Sequence, residues 1–231
     1  MFQFTRRTRR SSLSPTIAPA LRGGLVVTLA AALVVAASVG ALATDAADAA
    51  SLFAASLRQE QQGQPQAALA PIKTLLARDQ GHYLATLRAG WLSYSAGLYD
   101  DAVRYYRQAA SLEPRALEPR LGLMLPLMAL GRWRDAEVVG KAIVTEDGRS
   151  YLARSRLSFI YFSQGRYALA ESVYRAVLDD YPSDADMRLG LGWTHVRQNR
   201  GRDAEKAFRQ VLEVQPENAS ARQGLTALTK I

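Results

Sequence analysis

Two histidines, His82 and His195, are the only imidazoles in this chain of 231 residues, and it has no cysteine. Imidazole and thiolate are the groups that most readily act as base, nucleophile or soft-metal ligand near neutral pH. The missing cysteine excludes disulfides, thiolate metal sites, a Cys nucleophile and a lipid-modified N-terminal Cys. It leaves the compartment open, because such a chain is at home in oxidising and reducing surroundings alike. Neither histidine stands in a metal-ligand cluster, and the chain has no phosphate-binding Gly loop and no activated-serine motif. The acids are scattered. The pairs Asp100/Asp101 and Asp179/Asp180 fall at helix ends, where dipole and capping roles or a solvated face account for them. The expectation is a protein with no catalytic residue, no metal and no cofactor, and therefore not an enzyme.

A net charge of +8 would suit nucleic acid, but its distribution does not. Arg6, Arg7, Arg9, Arg10 and Arg22 lie in an acid-free start; without them 24 basic residues face 21 acidic ones. The remainder has no long basic run able to track phosphates, so no nucleic-acid partner is expected.

Residues 1–22 form this basic segment, and 23–44 carry no charge. The apolar run of 25–43 would span about 28 Å as a helix at about 1.5 Å per residue, close to a hydrocarbon core of roughly 30 Å. Arginines before it and Asp45 and Asp48 after it orient the N-terminus inside. Small residues at its end ("ALA", then "ADAA") also suit a signal peptidase. A cleaved signal peptide and a retained signal anchor both remain open, the second giving a membrane attachment. "TRRSSL" (Thr8 to Leu13) partly resembles a twin-arginine export signal, and an Arg-rich, acid-free start also fits an organelle transit peptide.

Elements that could position a site come from an internal repeat. Gly63, Gly97, Gly131 and Gly165 are each 34 residues apart, with Asn199 in the next place. Five residues after each stand Ala68, Ala102, Ala136, Ala170 and Ala204. Four further on are Ile72, Tyr106, Gly140, Tyr174 and Phe208, and the units close at Gln80, Pro114, Gly148, Pro182 and Pro216. Five registers coincide without an insertion, the mark of one structural unit used repeatedly.

This pattern resembles the tetratricopeptide repeat family. The resemblance implies an all-α, right-handed solenoid of helix pairs A and B, in five units (49–82, 83–116, 117–150, 151–184, 185–218) after a linker at 45–48. A short amphipathic helix over 219–231 would cap the stack. Glycine ends helix A because a left-handed residue costs it little. Alanine lets A and B approach, the aromatic fills the gap to the next unit, and proline stops helix B. In the first unit Ala55, Ser56 and Gln80 are atypical, as expected of a terminal repeat. The third unit departs twice: Gly140 replaces the aromatic, and Pro126 inside helix A should kink it. His82 falls in a linker, and His195 takes the helix A place usually held by Tyr; both are expected to be structural.

Function then falls to the concave face lined by helix A. Its stripe recurs at i, i+4 and i+7: Phe53, Leu57 and Glu60; Leu87, Trp91 and Tyr94; Leu121, Leu125 and Met128; Ser155, Phe159 and Phe162; Leu189, Trp193 and Val196. The family's chaperone-binding members hold acidic C-termini with Lys, Arg and Asn on this face, and that pattern is absent. A groove of Leu87, Trp91, Tyr94, Leu121, Leu125, Met128, Phe159, Phe162, Leu189 and Trp193 suits an apolar or helical segment of a protein partner. The same side chains could instead simply pack against neighbouring A helices, and both readings stay open. The resemblance implies a non-catalytic protein–protein scaffold. The leader places it on the periplasmic side of a bacterial inner membrane, secreted or anchored by 25–43. Envelope assembly is the expected setting: pilus, secretion, polysaccharide export or cytochrome c maturation. The alternatives are a cytosolic or organellar adaptor, and a glycan-binding accessory subunit. The second is disfavoured because the groove lacks the Asn, Asp and Gln that would hydrogen-bond sugar hydroxyls.

Overall fold

A computed structural model describes residues 48–229. The basic start, the apolar run of 25–43, Lys230 and Ile231 lie outside the described residues, as does the expected linker except for Asp48, which is already helical. Among the described residues eleven helices follow one another: α1 (48–61), α2 (Pro65–Arg78), α3 (Tyr83–Ser95), α4 (Tyr99–Leu112), α5 (Glu118–Ala129), α6 (Trp133–Glu146), α7 (Tyr151–Ser163), α8 (Tyr167–Asp180), α9 (Ala185–Arg197), α10 (Gly201–Val214) and α11 (Ala219–Leu228). Odd-numbered helices α1 to α9 are the A helices, even-numbered ones the B helices, and α11 is the cap.

The turn within each pair is one motif written five times. Gly63, Gly97, Gly131, Gly165 and Asn199 all have φ between 60° and 75°, a left-handed conformation natural to glycine and next most readily adopted by asparagine. The residue after each donates its N–H back across the helix end: Leu98 to Ser93 at 2.8 Å, Arg132 to Leu127 at 2.8 Å, Arg166 to Tyr161 at 2.9 Å, Arg200 to His195 at 2.9 Å. These bonds satisfy carbonyls that the helix end would otherwise leave open.

Ala68, Ala102, Ala136, Ala170 and Ala204 are all completely buried, at the approach of A to B. Packing then sets the curvature. α3 touches α5, α5 touches α7, α7 touches α9 and α9 touches α11, whereas α4, α6 and α8 touch only the A helices on either side of them. A helices are therefore crowded and B helices splayed, which puts the A layer on the inside of the curve.

Gaps between units are filled in two ways. Tyr106, Tyr174 and Phe208 are buried against glycines of the following helix, Gly122, Gly190 and Gly224, whose bare backbones leave room for the ring. At Gly140 the volume comes from the other side. A Cβ there would sit 2.6 Å from Met124 Cε and 2.9 Å from Leu157, so two A-helix side chains occupy the place of the missing aromatic. Pro126 lies in the last turn of α5, which runs unbroken from Glu118 to Ala129.

The acid pairs divide. Asp100 and Asp101 sit in the first turn of α4, where the helix dipole favours them. Asp179 and Asp180 fall at the C-terminal end of α8, where it does not; there Asp180 pairs with Arg154 at 2.7 Å instead. Successive units are also linked by Arg166 to Glu137 (2.6 Å) and Arg200 to Glu171 (2.8 Å). With both arginines substantially exposed, such pairs contribute at most about 1 kcal/mol each.

Candidate partner-binding groove

Along the A helices the inner stripe changes character from one end to the other. In the first two units it is polar at its centre. Glu60 of α1 accepts hydrogen bonds from Arg88 Nη2 (2.8 Å) and from the Trp91 indole Nε1 (2.6 Å), while Arg88 Nε donates to Ser56 Oγ at 2.9 Å. Burial pushes the Glu60 carboxyl up, but the bonds from Trp91 and Arg88 outweigh it and hold the group below its ordinary value. Trp91 is 44% exposed, with its polar edge held by this carboxylate.

Further along, Leu87, Tyr94, Leu121 and Met128 are partly buried against the central core, as is Phe162; Leu125 is partly buried too. Packing accounts for most of their surface. Leu189 and Trp193 pack likewise against the core around Phe208, with the Trp193 and Phe208 rings edge to face at 5.3 Å and the indole N–H donated to Ser220 Oγ at 2.9 Å.

Between α7 and α9 the packing opens. A cleft of about 320 Å³ is lined by Ser155, Phe159 and Phe162 on one side and Met187, Leu189 and Trp193 on the other, with Tyr174, Gly190 and Asp186 completing it. Phe159 is 46% exposed at its mouth. Of the ten expected groove residues, Phe159, Phe162, Leu189 and Trp193 converge here. Leu87, Trp91, Tyr94, Leu121, Leu125 and Met128 do not line it.

Three aromatics at the start of the B helices escaped the sequence reading. Tyr99, Trp133 and Tyr167 extend the inner stripe. Tyr99 packs on Tyr94 (5.8 Å), Trp133 on Phe159 (6.1 Å) and Tyr167 on Phe162 (5.7 Å between ring centroids). Their own 34-residue spacing was the available signal. A wider hollow of about 710 Å³ lies beside the α5–α6 turn; of its charged lining, Arg132 pairs with Asp135 and Arg166 with Glu137, and Arg134 is the remaining charge.

Both histidines serve structure. His82 Nδ1 accepts the Ala85 N–H at 3.3 Å, capping α3. His195 is buried within 3.4 Å of Gln198 Oε1, and burial, reinforced by Arg200, pushes its pKa below the ordinary 6.5. Among the described residues no group of three or more His, Asp or Glu could hold a metal ion, and no helix is long and apolar enough to cross a membrane.

Two profiles of tetratricopeptide repeats match the chain, one over residues 53–116 and 126–185, the other over 161–228. This chain belongs to the tetratricopeptide repeat family. Such repeats form scaffolds for protein–protein interaction. Solved structures share the fold: a tetratricopeptide repeat protein of Parabacteroides merdae (TM-score 0.71, 16% identity, covering 78% of this chain and 72% of that one); MamA of Desulfovibrio magneticus (0.68, 19%, 74% and 97%); and YrrB, described as having an unusual peptide-binding site (0.62, 19%, 74% and 89%). At these identities the likeness shows the fold alone. The human protein O-mannosyl-transferase TMTC1 is 36% identical over 75 residues, which are 32% of this chain and 8% of that protein.

Proposed function

We propose that this tetratricopeptide repeat protein is a non-catalytic scaffold on the outer side of a bacterial cytoplasmic membrane, holding an apolar or helical segment of a protein partner in its inner groove. The observation that carries the groove reading is the open cleft between α7 and α9, where Phe159, Phe162, Leu189 and Trp193 converge without filling the space. A half-exposed aromatic beside an apolar hollow is the usual anchor geometry of a protein interface. YrrB, with the same fold, is described as binding peptide. Location rests on the arginines before the apolar run of 25–43 and the acids after it. Envelope assembly follows from that location, as pilus, secretion, polysaccharide-export or cytochrome c maturation machinery. No catalysis is assigned, since one histidine caps a helix and the other is buried in packing.

A photo-crosslinking amino acid at position 159, inside the groove, is the direct test, compared with one at Val138, which is 69% exposed on the B helix α6. Partner crosslinks from 159 and none from 138 are expected; the reverse pattern would remove the groove reading. A periplasmic reporter fused after Ile231 should be active, and an active cytoplasmic reporter there would remove the location.

A further inference from the structure

Arg88 and Arg156 hold the same place in their repeats, on α3 and α7, yet their surroundings differ. Arg88 is neutralised inside the fold by Glu60, the inner-stripe acid of the preceding unit, with the Trp91 indole sharing that carboxylate. At the place matching Glu60 the unit before Arg156 carries Met128, and at the place matching Trp91 stands Phe159, which has no donor. Arg156 forms no ion pair among the described residues. Its Nη1 donates to the Leu121 carbonyl at 2.5 Å, and the groups acting on its charge besides burial are the phenols of Tyr106 and Tyr94. The guanidinium is partly buried, desolvated enough to push its pKa down, and still reaches solvent. A fork of five donors is left with one neutral acceptor.

We infer that the groove partner presents an Asp or Glu side chain to Arg156, beside a large apolar side chain that enters the cleft at Phe159 and Trp193. The inference rests on the groove reading above and adds the chemistry of its occupant. The first two repeats show how a carboxylate sits in this corner, held by the guanidinium of the A helix that follows. At Arg156 the chain provides that donor and withholds the acid, so the acid comes from outside. Arg156 and Phe159 are three residues apart on α7, neighbours on one helix face about 5–6 Å apart at Cβ. Acid and apolar anchor therefore lie within one turn of a bound helix, or two residues of an extended segment.

The test pans random peptides, displayed without a free C-terminus, against the full chain with its N-terminus intact. Only a side chain can then supply the carboxylate. Enriched peptides should carry Asp or Glu within four residues of a large apolar residue. Arg156→Gln should weaken a synthesised winner about tenfold or more, the range for a hydrogen bond to a charged group, and leave its Asp→Asn form unaffected. Met128→Glu supplies the acid from within, as Glu60 does, and should abolish the acid preference with folding intact; it decides the matter if Arg156→Gln lowers the melting temperature. Apolar winners without an acid, or an acid preference unchanged in both variants, overturn this inference and leave the groove reading standing. Winners bound equally well by Phe159→Ala and Trp193→Ala overturn both.

Discussion

Tyr174 and Gly190, one helix apart, show how a single position governs its partner. A Cβ on Gly190 would lie 2.5 Å from the Tyr174 ring, so Gly190→Ala should overpack the joint and cost about 1–3 kcal/mol. Thermal unfolding measures that cost, and trimming the ring with Tyr174→Leu should recover part of it. The chain itself documents the coupling. Tyr106, Tyr174 and Phe208 are each followed by a glycine at this place, whereas Ile72 and Gly140 are followed by Arg88 and Arg156. A large ring excludes a side chain opposite, whereas Ile72 and Gly140, which carry no ring, admit the arginine. His195 yields a second expectation. Its pKa is depressed in the fold, so the unfolded chain takes up the proton more readily. Its contribution is complete above about 6.5 and is lost as the pH falls from there toward the native value. Melting temperature should drop between pH 7.5 and 5.5. His195→Tyr, the residue at the matching place Tyr161, should flatten that drop; an equal slope in both proteins would discharge His195 from the role.

At the scale of the helix, α5 is the test case. Proline in a helix interior removes a hydrogen bond and crowds the carbonyl four residues back, which led to the expectation of a kink. Pro126 stands in the last turn, where the helix is about to end at Gly131, so a bend there redirects only the final residues of α5. Pro126→Ala restores the donor toward Gly122, so stability should hold or rise in thermal melts. A fall would show that the buried ring's packing outweighs the bond. Helix ends were legible because they are written in residues with few alternatives, a left-handed glycine or asparagine after helix A and a proline after helix B; the Asp184 and Asn218 side chains that accept from the first turns of α9 and α11 were found only in the structure. Asp179 and Asp180 were not legible in the same way. The pattern put them just before Pro182, at the C-terminal end of helix B where the dipole disfavours them, but it could not show that Arg154 comes within reach of Asp180.

For the whole molecule, stability should follow its nearly one-dimensional order, each unit resting on its neighbours. Phe208 is fully buried beneath Gly224 of α11. Deleting residues 219–231 exposes that ring, and hydrogen exchange should then show α9 and α10 losing protection first, with α4 to α7 little changed. Uniform loss along the chain would mean that the array melts as one block. The amino-acid sequence by itself determined the repeat length, the helix pairs, their turns and the buried alanines, because each depends on local backbone limits or on a volume repeated every 34 residues. It also singled out the inner stripe, since helical periodicity fixes which residues share a face. Only the tertiary structure decided which of those residues remain open. Trp91 is tied to a carboxylate 31 residues away, Leu121 and Met128 are spent in packing, and Phe159 and Trp193 flank a space left between α7 and α9. That outcome depends on how closely two helices approach, which is set by side chains on both and is not a property of either segment alone.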